Sequence, residues 1–209
     1  METKVNPELR KYIEAQILPA YSRFDAAHQL DHARTVIEQS LLLARYYDVN
    51  LNMVYCTAAY HDTGLCEGRE LHHLVSGRII REDKMLQHFF SADEIEMMAE
   101  AAEDHRASSK HAPRSIYGRI VAEADRLIDG DTIVRRTIQY GLSHYPELDR
   151  EAHYQRFKVH MAEKYAEGGY LKLWIPESAN AKRLKAFQQL LKDEKETKKL
   201  FDSIWEEEV

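Results

Sequence analysis

Residues 51–64 read LNMVYCTAAYHDTG. Leu51, Val54, Tyr55, Ala58 and Ala59 recur at helical spacing, the pattern of a helix with one face turned to a core. Asp62 is the next position on that face, and His61 lies beside it. A carboxylate that continues a buried stripe is costly unless it is paired or bound to a metal. Gly64 supplies a C-terminal stop, which puts the pair on the last turn of its helix. Adjacent side chains on a helix diverge by about 100°, so His61 and Asp62 can share an ion only at a helix end or a bend. A His-Asp pair alone is weak evidence, being more often two satisfied polar residues than a metal site.

Three other stretches repeat the same oddity. Ile95, Met98, Ala99 and Ala102 form an apolar face that continues into His105 and Arg106. Val121, Ala124 and Ile128 form another, with Asp125 inside it. His32 lies one turn before Val36, whose face runs through Ser40 to Leu43 and Ala44. Four helices therefore each direct a His or an Asp toward an apolar interior. Imidazole and carboxylate together suit a divalent cation such as Mn, Fe, Co, Zn or Mg.

The rest of the chain reads as helices with short punctuation. The periodicity predicts helices near 6–23, 30–47, 51–63, 72–86, 91–106, 113–129, 131–142, 149–167 and 178–206. Asn50 is a good N-cap, Ser91 with Glu94 makes a capping box, and Pro113 suits a first helical turn. Gly130, Gly141 and Gly168-Gly169 read as stops. No segment alternates as a strand does. The expected fold is an all-α, compact helical bundle in one domain of 209 residues. Its C-terminal packing helices, about 149–206, include a stripe of Leu184, Phe187 and Leu191.

Composition narrows the function. Formal charge is −6 and the pI about 6.0, so no basic field is present for duplex nucleic acid. The two cysteines, Cys56 and Cys66, fit no metal or secreted disulfide spacing. The opening METKVNPELRKYIE lacks a signal-peptide core, and no run reaches membrane-span length. A cytoplasmic location without membrane association is expected, and assembly with copies of itself stays open. Eleven histidines is a high count, and six of them lie from position 61 to position 111.

The ordered ligands and the text around them resemble the HD superfamily of metal-dependent phosphohydrolases. AHQLDHARTV (27–36) is similar to the family's opening HDxxHxxRV helix and AAYHDTG (58–64) to its signature. HHLVSG (72–77) resembles a HxxSG/A helix start, EDHRAS (103–108) the segment before the last aspartate, and IVAEADRLID (120–129) the closing VxDADRLD. The likeness spans about 24–135 and is strongest toward soluble single-domain bacterial hydrolases of nucleotides or other small phosphates. The chain departs from the pattern at Gln29 and Glu123, where it often has Asp. Leu65 stands where a subset of nucleotidases has Glu, so a close copy of that subset's mechanism is not expected.

The resemblance implies a first metal held by His32, His61, Asp62 and Asp125, with positions open for water and substrate. If Asp62 bridges, His73 and His105 would hold a second ion. His73 is favoured over His72 because it begins the HxxSG segment four residues before Gly77. Alternatively, His73 and His105 donate to phosphate beside a single ion. The cofactor would be one or two of Mn, Fe, Mg, Co, Ni or Zn, lowering the pKa of bound water and neutralising phosphoryl charge. Asp62 and His105 are the candidate catalytic residues. Arg34, Arg106, Arg126 and His28 are candidates for contact with a small phosphorylated substrate, foremost a nucleotide. Arg34 and Arg126 could instead orient a carboxylate ligand. Glu67, Arg69 and Glu70 form a charged loop that reads as solvated surface. Two other classes stay in view: a di-iron HD-type oxygenase, and a metal-binding regulatory domain without catalysis. No sensor or nucleotidyltransferase segment accompanies the motifs, so a small-molecule hydrolase is expected over a multidomain signalling enzyme.

Overall fold

Capping side chains decide where most of the helices begin. The computed structural model describes residues 4–24 and 29–209. Asn6 accepts the Glu8 and Leu9 amides to open α1 (Pro7–Tyr12). The α2 helix (Leu30–Ala44) begins without a side-chain cap, and Asn50 accepts the Asn52 amide to open α3 (Leu51–Tyr60). After α4 (His72–Glu82), the Ser91–Glu94 capping box opens α5 (Ala92–Glu103). Ser115, Asp129 and Asp149 cap α6 (Ile116–Asp125), α7 (Gly130–His144) and α8 (Arg150–Lys164). Two last helices follow, α9 (Asn180–Lys192) and α10 (Glu194–Glu208). Among the described residues there is no strand, and the fold is all-α. No described helix is long and apolar enough to cross a membrane.

Several boundaries differ from the sequence reading, each for a local reason. The first stretch is α1 followed by a π-helix at Ile13–Ile17 and a 3-10 helix at Leu18–Arg23, where Pro19 cannot donate an amide. Ser115, not Pro113, starts α6, because its hydroxyl accepts the Gly118 amide. The last stretch breaks at Asp193, whose carboxylate caps α10. Gly130 opens α7 instead of ending a helix. Gly141 lies inside α7, where a Cβ would sit 2.5 Å from the Arg156 guanidinium and 2.6 Å from the His153 ring. Only Gly168 of the expected stops takes a positive φ, at 86°.

The chain forms two compact units, Met1–Arg126 with Trp174–Ser178, and Leu127–Leu173 with Ala179–Val209. In the first, α2, α3, α5 and α6 share a core of Ala33, Val36, Val54, Ala58, Met98, Ala102 and Val121, all buried. The alanines allow close helix approach, and burying a side chain such as Met98 contributes roughly 1.5–3 kcal/mol. This packing fixes the ends of the helices that carry the conspicuous His and Asp residues. The second unit packs α7, α8 and α10 through Ile138, Tyr154, Phe157 and Phe201, with Arg135 paired to Glu207 and Glu208.

Candidate metal centre

The α3 helix ends where its last carbonyls find side-chain donors. His61 Nδ1 donates to Ala58 O (2.8 Å), Tyr21 OH to Ala59 O (3.0 Å) and Thr63 Oγ1 to Tyr60 O (2.8 Å). His61 keeps helical angles, whereas Asp62 at φ −110°, ψ 5° has left the helix. That change of direction lets two adjacent side chains meet at one place. Gly64 is not the left-handed stop its position suggests, since its φ is not positive. Its service is proximity: a Cβ there would lie 2.0 Å from the His72 carbonyl oxygen and 2.6 Å from the Ser76 nitrogen. The Gly64 amide donates to Ser76 Oγ (2.9 Å), which docks the loop on the first turn of α4.

Six side chains from five helix ends converge on this corner. His32 Nε2 lies 3.1 Å from Asp125 Oδ1 and 3.6 Å from Asp62 Oδ2. His61 Nε2 lies 3.2 Å from Asp62 Oδ2, 3.8 Å from Asp125 Oδ1 and 3.4 Å from His32 Nε2. The other oxygen of Asp62 faces a second group: His72 Nε2 at 3.4 Å and His105 Nε2 at 3.3 Å, these two nitrogens being 3.2 Å apart. Donors bound at about 2.1 Å with angles between 90° and 109° would stand about 3.0–3.4 Å apart, so most of these separations suit ligands of a common ion. The trios His32–His61–Asp62 and Asp62–His72–His105 each bring their donor atoms within 4.8 Å of one another.

The tautomers agree with that use. His61, His72 and His105 each give Nδ1 to the carbonyl three residues earlier, Ala58, Arg69 and Ala102, at 2.8, 2.7 and 2.6 Å. A carbonyl only accepts, so in the neutral ring the hydrogen sits on Nδ1 and the Nε2 lone pair faces the cluster. Without a cation, lone pairs of His72 and His105 would oppose each other across 3.2 Å. The donor set therefore fits a divalent metal.

Electrostatics sets His72 apart from His32 and His105, whose pKa values are both raised by the neighbouring carboxylates against their burial. Burial opposes charge on His32, but hydrogen bonds and attraction from Asp125 and Asp62 outweigh it and raise its pKa to about 9. Burial also opposes ionisation of Asp62, yet the imidazoles of His61, His105 and His32 hold it well below the usual carboxylate range. Asp125 is lowered too, by His32 above all against its burial. His72 goes the other way, down to about 4, through burial and the nearby His105. The Asp125 side chain is 23 % exposed while those of His61 and Asp62 are almost wholly covered, so solvent reaches the cluster beside Asp125.

Residues 30–129 match the family model of the HD domain. The chain carries an HD domain. A solved structure of a predicted HD superfamily hydrolase from an uncultured Thermotogales bacterium is similar in fold. It is 22 % identical, with a TM-score of 0.52, over 74 % of this chain and 88 % of that one. No curated protein matches the chain. The matched HD segment begins two residues before His32 and ends four after Asp125, enclosing all six clustered side chains.

The geometry corrects one expected ligand. His72, not His73, reaches the cluster, because His72, Ser76 and Ile80 form the buried face of α4 at i, i+4, i+8 spacing. His73 is half-buried, and its Nδ1 has no hydrogen-bond partner. Following Ser76 to Ile80 backwards would have pointed to His72 in the sequence. Arg34, two positions and about 200° around α2 from His32, is exposed on the other side of the helix, which removes it from the cluster. Arg126 is buried and makes no ion pair among the described residues; it donates to the Ala122 carbonyl, and its Nε has no partner. Arg106 donates to the Glu70 carbonyl (2.7 Å), tying down the loop whose Arg69 carbonyl orients His72. His28 lies outside the described residues. Glu123, the departure from the family text, is fully buried and accepts the Trp174 and Ile175 amides (2.6 and 3.3 Å) and the Ser178 hydroxyl. Its longer side chain holds the Trp174–Ser178 segment against the helix that carries Asp125. Tyr21 was invisible in the sequence, because only the fold brings it to the end of α3.

Proposed function

We propose that this HD domain is a divalent-metal-dependent phosphohydrolase acting on a small phosphorylated molecule, foremost a nucleotide. The observation that carries the reading is one buried carboxylate, Asp62, whose two oxygens face two separate imidazole groups. His32, His61, Asp62 and Asp125 would hold one ion, and Asp62, His72 and His105 a second. Bound there, divalent ions lower the pKa of water and neutralise charge on phosphoryl oxygens. The protein's own part is orientation: carbonyls lock the His61, His72 and His105 rings, and the packed helix ends hold both carboxylates in register. Substrate would approach beside Asp125, the more exposed ligand. Arg106 has no carboxylate partner among the described residues and would supply further donors for phosphate. The nucleotide preference rests on the resemblance of the motifs.

The same donors, four imidazoles and two carboxylates, also suit two irons, which keeps an oxygenase as the second reading. Metal analysis of protein purified without chelator, then phosphate release from nucleotides and other phosphate esters with Mn, Mg, Co and Fe(II), tests the proposal. Release that disappears in Asp62→Ala is the expected result. Metal-loaded protein that releases no phosphate from any substrate but consumes oxygen with Fe(II) would overturn it.

A further inference from the structure

At the end of α3 the Asp62 amide has lost its helical acceptor. In a continuing helix it would donate to Ala58 O, four residues back, but that carbonyl is taken by His61 Nδ1. The amide instead donates to the hydroxyl of Tyr21 (3.3 Å), and that hydroxyl donates onward to Ala59 O (3.0 Å). One oxygen thus bridges the last turn of the helix and the first residue outside it. Tyr21 is fully buried on the 3-10 helix Leu18–Arg23, with its ring centroid 6.4 Å from that of His61. A rigid phenol with a single rotatable hydroxyl holds the bend at a fixed width, and among the described residues no other side chain bonds to the Asp62 amide.

We infer that Tyr21 is a positioning residue of the metal centre: its hydroxyl sets the turn that points both oxygens of Asp62 at their two imidazole groups. This rests on the metal-dependent reading above. Removing the hydroxyl should loosen the carboxylate common to both groups, so binding at both should weaken together. Losing an outer partner of a metal ligand costs about 10- to 100-fold in affinity.

The test is Mn binding to the full-length wild-type, Tyr21→Phe and Asn50→Ala proteins, read by calorimetry, with thermal midpoints taken in EDTA. Asn50 caps the opposite end of the same helix, so Asn50→Ala reports destabilisation of α3 alone. The expected result is a drop of about 10- to 100-fold in Mn affinity for Tyr21→Phe and wild-type affinity for Asn50→Ala, whatever their midpoints. If Tyr21→Phe folds only when loaded, the rate of Mn loss to EDTA gives the same comparison. Tyr21→Phe binding Mn as the wild type does, or weakening no further than Asn50→Ala, overturns the inference and leaves the phosphohydrolase reading standing. A wild-type protein that binds no divalent metal overturns both.

Discussion

The Nε2 atoms of His72 and His105 lie 3.2 Å apart, and each is 3.3–3.4 Å from the same oxygen of Asp62. Both rings spend Nδ1 on backbone carbonyls, so only a cation or an added proton relieves the opposition of their lone pairs. With a metal there, the wild type should bind two ions per chain. His72→Ala and His105→Ala should each bind one, and His73→Ala should still bind two. Metal analysis by mass spectrometry of the four proteins checks this. Loss of an ion from His73→Ala with retention in His72→Ala would reverse the assignment.

Asp62 touches both groups, so its removal should act on both. Asp62→Ala should lose both ions and reduce phosphate release by more than about 100-fold, since losing a shared ligand exceeds losing an outer partner. Circular dichroism should show the helical content retained. A variant that keeps one tightly bound ion would show that Asp62 does not bridge.

The metal-free protein should respond to alkali through His32. Its folded pKa of about 9 lies above the ordinary 6.5, so its stabilisation is full below pH 6.5 and is lost as pH climbs through about 9. A shift of that size is worth on the order of 3 kcal/mol. In EDTA the thermal midpoint should fall between pH 6.5 and 9.5, and this dependence should be blunted in His32→Ala. Metal must displace the same proton, so Mn affinity should rise by up to about tenfold per pH unit until about pH 9. His72, held near pH 4, is already neutral at pH 7 and releases none. Calorimetry in buffers of different ionisation enthalpy would detect the proton; its absence at pH 7 contradicts the assignment.

Gly64→Ala places a Cβ 2.0 Å from a backbone oxygen of α4, which cannot rotate away. The loop or the first turn of α4 must shift, at a cost of about 1–3 kcal/mol or more. Because that turn carries His72, the ion held with His105 should be lost first. A wild-type urea midpoint and two retained ions would refute the close-approach role.

Glu123→Ala strands the Trp174 and Ile175 amides and removes one acceptor from the Ser178 hydroxyl. Leaving such groups without partners costs roughly 1–3 kcal/mol each, tempered where water enters. Protease cleavage near 174–178 should become faster, whereas Glu123→Gln, which keeps an acceptor, should resist. Equal cleavage of all three proteins would count against the clasp.

The sequence alone determined the helical class, the four apolar stripes and the order His32, His61-Asp62, Asp125. Periodicity is a local property, and a charged residue on a buried stripe is legible wherever the stripe is. The caps at Asn50 and Ser91 were legible for the same reason: their bonds span only two or three residues. The choice of His72 over His73 was open to the same reading, since Ile80 continues the face of His72 and Ser76 whereas Arg81 continues that of His73 and Gly77. What the tertiary structure decided is that His72 and His105 meet at one oxygen of Asp62. It also decided that Gly64 serves a close approach and that Glu123 reaches a segment 51–55 residues further on. Tyr21 meets Asp62 across 41 residues of chain. Such contacts depend on how helices pack, and packing responds to every side chain in the core at once, so no local pattern in the sequence records them.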